Sequence, residues 1–242
     1  THFSMENGLP ADEISSLAAN PNGGLWLTTF CCGIAYFDGD TWKNFTRQDG
    51  LPENDARASL IDRQGNLWLG FSEKGVARFD GKTWQTFPLS GYVGHLGQLV
   101  DGSVLASVSD NSNPRRVRFD GKQWTDFTTP PQMQNAYVFD FVETPKDVLW
   151  FATEHDGVFR LSGNKWTHFT QQDGLSSDSI FAIAVDSTGD IWFGTANGIS
   201  RFDGENWQTY QPGQWVTSAF AAADGSLWFG ADGAVLRYEK SE

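Results

Sequence analysis

The chain has 242 residues, with 17 Lys and Arg against 30 Asp and Glu, for a formal charge of −13. A field of that sign repels polyanions, so nucleic acid and anionic membrane surfaces are poor partners. There is no run of about eighteen apolar residues to insert into a bilayer, and the length suits one all-β domain with a substantial core.

A refrain runs through the sequence. Trp26 in "GLWLT" is echoed by Trp68, Trp150, Trp192 and Trp228, and Leu105 takes the remaining slot, at intervals of 36 to 45 residues. A second half returns as "YFDGDTWKNF", "RFDGKTWQTF", "RFDGKQWTDF", "RLSGNKWTHF" and "RFDGENWQTY". Segments such as "SIFAIAVD", "IWFGT", "GISRFD" and "WQTY" are β-branched and aromatic and are separated by Gly, Asp and Asn turns, so each unit reads as four short antiparallel strands. No unit shows helical periodicity. Six repeats of this length predict a six-bladed β-propeller with four strands per blade.

The last unit stops at "LRYEKSE" without a fourth strand, while the chain opens with "THF", which fits the end of one. The expectation is a single domain over 1–242 whose ring is closed by residues 1–3 completing blade six. Beginning in mid-blade, the chain reads as an excised domain. The recurrent tryptophans and Phe37, Phe79, Phe119 and Phe202 are expected as wedges between blades. Asp62 and Asp186 are expected to accept turn N–H groups. The "FDGDT" turns lack the spaced ligands of a calcium loop.

Departures from the refrain carry the functional reading. In blade one, Cys31 and Cys32 lie in the turn between strands two and three. Neighbouring cysteines cannot staple distant segments, and two ordinary thiols are the default, with a vicinal disulfide as the alternative. Blades three and six are shorter than the rest: 18 residues, not 23, separate the preceding strand-four aromatic from the strand-two landmark. Part of this deficit is assigned to tighter first hairpins ("VDGS", "ADGS") and the rest to a crossover without Gly-Leu-Pro. Two lowered rims predict a trough across the mouth of the channel, suited to an extended ligand.

The beginnings of the inner strands would line it: Arg57 in blade two, Tyr92 and His95 in blade three, Tyr137 and Asp140 in blade four, Trp215 in blade six, with His155 on a nearby turn. Asp140, flanked by Phe139 and Phe141, needs a partner or water, and Arg57 is a candidate to pair with it, although the two differ in strand parity. Arg115 and Arg116 in "SDNSNPRRVRFD" are expected to form a basic tip above blade three. The four histidines do not converge as a metal set, no nucleophile motif is present, and no cofactor is expected.

Residues 49–80, "DGLPENDARASLIDRQGNLWLGFSEKGVARFD", and 173–203, "DGLSSDSIFAIAVDSTGDIWFGTANGISRFD", resemble the two-component regulator propeller repeat in their Gly-Leu-Pro or Gly-Leu-Ser opening, Asp-x-x-Gly turn before the tryptophan, and Arg-Phe-Asp close. The resemblance implies a periplasmic or extracellular sensing region of a bacterial signalling protein, or a secreted binding protein. It extends more remotely to propeller lyases that act on streptogramin antibiotics. Six units are fewer than the seven common in the family, and no kinase or immunoglobulin-like companion is present. Two readings follow. The first is a non-enzymatic propeller that takes an extended small-molecule, glycan or peptide ligand at its top face and works beside adjacent signalling domains. The second is a lyase or hydrolase using a histidine, such as His95 or His155, with Asp140 or Glu154 at the same mouth.

Overall fold

The structure is a computed structural model that describes residues 2–21, 23–110, 113–145 and 147–239. It is a six-bladed β-propeller built from six antiparallel sheets. In each blade the strands follow one another in sequence order across the sheet. The inner strands are Ile14–Ala19, Ala56–Ile61, Tyr92–Gln98, Val138–Thr144, Ile180–Val185 and Val216–Ala221. By contact the chain divides into two units, Thr1–Phe127 with blades one to three and Thr128–Glu242 with blades four to six. Among the described residues no helix is long and apolar enough to cross a membrane.

Five sheets have the expected four strands and blade six has three, ending at Ala234–Tyr238. The fourth strand expected from residues 1–3 is not among the described strands. His2 and Phe3 are in irregular backbone, and Thr1 and residues 240–242 lie outside the described residues. Phe3 nonetheless packs on Phe37 and Trp42, with ring centroids 5.1 and 5.4 Å away. Phe169 makes the equivalent contacts to Phe202 and Trp207 at 5.5 and 5.4 Å.

Within each unit, aromatic rings fill the wedges between blades. Trp68 of blade two meets Phe119 and Trp124 of blade three at 5.4 and 6.2 Å. Trp150 of blade four meets Phe193 and Phe202 of blade five at 5.9 and 5.5 Å. Burying each such ring stabilises the fold by about 1.5–3 kcal/mol. Glycines permit the closest approaches. A Cβ on Gly70 would lie 2.7 Å from a Val93 methyl and 2.8 Å from the Val93 carbonyl, so blade three can lie against blade two only because that position is bare. Trp228 departs from the pattern, at 38% exposed where Trp192 is 1%.

Below the sheets, Asp62 accepts from the backbone N–H of Gln64 and Asn66 and from the indole N–H of Trp68. Asp186 does the same with Thr188, Asp190 and Trp192. One carboxylate thus shapes the hairpin and orients the wedge ring. Burial opposes the charge on Asp186, but hydrogen bonds from the Thr188 hydroxyl, the Trp192 indole and the turn amides outweigh it and lower its pKa.

The short blades are corrected in one respect. From the paired residue just before the register shift of the inner strand to the strand-two landmark the spacing is the same in every blade, as Ala56 to Trp68, Val93 to Leu105 and Val216 to Trp228 show. First hairpins are therefore not tighter in blades three and six, and the whole deficit sits in the crossovers. The long crossovers carry one-turn 3₁₀ helices at Met5–Asn7, Arg47–Asp49, Pro131–Met133 and Gln171–Asp173. In three of them, a Ser or Thr cap and an Asn or Asp three residues on close a capping box before a left-handed glycine: Gly8, Gly50 and Gly174. Residues 88–91 and 211–215 contain no such turn.

Candidate functional site

Each inner strand opens with a register shift against its neighbour. The residue skipped by the ladder is Ser15, Arg57, Gly94, Phe139, Phe181 or Thr217 in blades one to six. A β-bulge re-aims its extra side chain away from the ladder, so each blade presents one variable residue at the same place. These residues define the candidate site, which is described for each unit separately.

In the first unit Arg57 is central. Its Nε and Nη2 reach Asp55 at 2.6 and 2.7 Å, and Nε also donates to Ser72 Oγ at 2.9 Å. The guanidinium lies over the Phe30 ring at 4.6 Å and faces the Tyr92 ring at 5.7 Å. A Cβ on Gly94 would strike the Tyr92 ring at 2.7 Å, so Tyr92 occupies the space that the bulge residue of blade three leaves empty. Burial pushes the Tyr92 hydroxyl pKa up; the Arg57 charge opposes the shift and Asp55 adds to it. Phe30 and Tyr92 are 39% and 42% exposed. His95 sits one residue past the bulge, opposite Ser107, half-buried.

Arg57 thus has Asp55 and Ser72 among its partners. Asp140 accepts the backbone N–H of Ile183 at 2.7 Å, joining the inner strands of blades four and five. Arg57 is a bulge residue, whereas Asp140 belongs to the ladder opposite Ala152.

In the second unit the bulge residues of blades four and five are aromatic, and Trp215, two residues before the blade-six bulge at Thr217, joins them. Phe139 lies 5.6 Å from Phe181, which lies 5.6 Å from Trp215, so three rings from blades four, five and six form a continuous ladder. Trp215 is 54% exposed, and Tyr137 and Phe139 are also exposed. The backbone beside the ladder is tied down: the Tyr137 carbonyl, two residues before Phe139, accepts Glu154 N–H at 2.9 Å and the Trp215 carbonyl accepts Asp232 N–H at 3.0 Å. His155 stands on an exposed turn, with Nδ1 3.2 Å from Ser179 Oγ and Nε2 3.8 Å from Glu154 Oε1, beyond hydrogen-bond reach of the carboxylate.

Two expectations are overturned. Cys31 and Cys32 form a vicinal disulfide in place of two thiols. The basic tip above blade three is absent from the described residues: Arg116 is 3% exposed, and burial lowers its pKa to about 10. Arg115 is held by the Ser90 carbonyl and Asp126. Alternation along the strand turns adjacent side chains to opposite faces, so two neighbouring arginines cannot share one tip. Sequence reasoning missed Phe30, Phe139 and Phe181. The last two lie eleven residues before Trp150 and Trp192, as Arg57 does before Trp68, so the same count applied to each blade finds them.

The fold is a β-propeller with one bulge residue of variable type at the start of each inner strand. The sequence model of the two component regulator propeller family matches residues 50–73 and 174–197, one segment in blade two and one in blade five. No curated protein matches the chain. Among solved structures, virginiamycin B lyase from Staphylococcus aureus is 14% identical with a TM-score of 0.75, over 95% of this chain and 85% of that one. The extracellular domain of BT3049 from B. thetaiotaomicron, assigned to a hybrid two component system, is 18% identical with a TM-score of 0.66, over 96% of this chain and 39% of that one. PorZ, a surface component of the type-IX secretion system of Porphyromonas gingivalis, is 15% identical with a TM-score of 0.72, over 98% of this chain and 41% of that one. The chain spans about two fifths of the latter two, and at these identities the likeness is one of fold.

Proposed function

We propose that the protein is a non-catalytic binding propeller of the sensing or interaction type, and that the Phe139–Phe181–Trp215 ladder takes an extended, uncharged ligand with flat apolar faces, best matched by a neutral glycan chain. The carrying observation is the ladder itself. Three rings at regular spacing, with Trp215 more than half exposed, are costly to leave against water without a binding role. A charge of −13 disfavours acidic ligands. The short crossover at 211–215, which ends in Trp215, supports an elongated ligand. A vicinal disulfide suits an oxidising compartment, and the extracellular setting given for the BT3049 domain supports a place outside the cytoplasm, with further signalling domains as neighbours. The lyase reading gains no support from His155, which is exposed and outside hydrogen-bond reach of Glu154.

The test is titration with a panel of neutral oligosaccharides of increasing length, followed by tryptophan fluorescence. Saturable binding that Trp215→Ala and Phe139→Ala each weaken about tenfold is expected. No binding across the panel, binding indifferent to both substitutions, or chemical turnover of the bound sugar overturns the reading.

A further inference from the structure

The turn between strands two and three is built alike in blades one and four. In blade one Thr29 Oγ1 donates to the Gly33 carbonyl at 2.8 Å, Cys32 N–H donates to Thr29 Oγ1 at 3.1 Å, and Gly33 N–H reaches the Asn54 carbonyl at 2.9 Å. In blade four Thr153, Asp156 and Gly157 make the same three bonds at 2.7, 3.0 and 2.8 Å, the last to the Asp178 carbonyl. There the places of Cys31 and Cys32 are taken by His155 and Asp156. The turn therefore forms without a disulfide. Closing a loop between adjacent residues also restricts the unfolded chain little. Stability does not account for the bond.

Its surroundings suggest another role. Cys31 is exposed and Cys32 half-buried, so the bond is open to solvent. The next residue back is Phe30, whose ring supports the Arg57 guanidinium, which in turn faces Tyr92. Blade two has Ser72, Glu73 and Lys74 at the equivalent of Phe30, Cys31 and Cys32, and blade four has Glu154, His155 and Asp156. In blade one alone of these three, the turn that flanks the bulge residues is apolar and oxidisable.

We propose that Cys31–Cys32 is a reversible redox site, reduced by dithiols, whose state sets the form of the Phe30–Arg57–Tyr92 surface. One thiolate of the dithiol attacks a cysteine sulfur, breaking the S–S bond and forming a mixed disulfide. The released cysteine thiolate takes a proton. The second thiol of the reductant then displaces the other cysteine, which is protonated in turn. The protein gains two electrons and two protons, and the dithiol leaves as a disulfide. Opening the ring frees the 31–32 backbone and Phe30, while the Thr29 and Asn54 hydrogen bonds hold the turn. This site lies on the first unit and is independent of the aromatic ladder proposed for glycan binding.

The experiment treats the folded protein with dithiothreitol, traps thiols by alkylation for intact mass measurement, and records the Arg57 Nε–H and Tyr92 ring resonances before and after reduction. Two adducts on folded protein, a melting temperature within about 2 °C of the oxidised form, and shifted Arg57 and Tyr92 resonances with the Thr153–Gly157 turn unmoved are expected. The Cys31→Ser/Cys32→Ser double variant should melt with the wild type and be indifferent to dithiothreitol. Adducts before any reductant is added, adducts only after denaturation, a large stability loss in the double variant, or reduction that leaves Arg57 and Tyr92 unmoved each overturns the proposal.

Discussion

The indole N–H of Trp68 donates to the carboxylate of Asp62 at 2.8 Å, in a pair buried beneath blade two. The same carboxylate gathers the amides of its hairpin, so turn and wedge are one unit. Asp62→Ala removes the acceptor and leaves the indole N–H buried without it. The expected loss is about 1–3 kcal/mol, read as a lower urea midpoint with an unchanged slope. Asp62→Asn keeps an acceptor and should cost less.

Gly70 gives a steric prediction. An alanine there must push aside the backbone of Val93 as well as its side chain, so blades two and three separate locally. Gly70→Ala should destabilise by about 1–3 kcal/mol through overpacking. Gly65 has nothing within 4 Å of its would-be Cβ but has a φ of +84°, so Gly65→Ala strains the backbone alone and should cost less. Thermal melts of the two variants measure the difference.

Asp140 ties the inner strands of blades four and five through the Ile183 N–H. Asp140→Ala leaves the Ile183 N–H without this acceptor, and a loss of about 1–3 kcal/mol is expected. Amide exchange at Ile183 should quicken in the variant, and oligosaccharide affinity should fall much less than in Trp215→Ala.

Acid should weaken the outer hairpins. Asp38, Asp80, Asp120 and Asp203 each accept two N–H groups two and three residues on, and these backbone bonds hold their carboxyl pKa values below the ordinary range. A depressed folded-state value contributes stability that is complete above the unfolded pKa of about 3.9 and is lost as pH falls through the folded value. Stability should therefore be level on this account above about pH 5 and decline below about pH 4. An Asp80→Asn variant should show a shallower acid decline in denaturant titrations at stepped pH.

The six-blade period was legible because the refrain is physical: Trp26, Trp68, Trp150 and Trp192 must be large and apolar to fill a wedge, and they recur wherever a wedge does. The missing Gly-Leu-Pro at blades three and six was legible as a shortened crossover, and the structure shows that a 3₁₀ turn is what the other crossovers carry there. The partial assignment of the deficit to the hairpins failed because "VDGS" was matched to "DRQGN" without Leu99, whereas residues 99–103 and 62–66 are hairpins of equal length. The bulges were invisible to composition, since a register shift is a property of two strands and the sequence displays one at a time. Arg116 was misplaced because strand alternation, not loop membership, decides its face. Nothing in "FCCG" separates a disulfide from two thiols, since either fits the same turn.

Keeping the span from bulge to landmark constant in all six repeats, while the crossovers differ in length, separates two kinds of heritable change. Substitutions at the six bulge positions would alter the proposed binding surface without touching the wedges, and insertions at 88–91 or 211–215 can lengthen a crossover without shifting any ladder. Such a molecule can acquire new specificities one blade at a time, each with its foundations undisturbed.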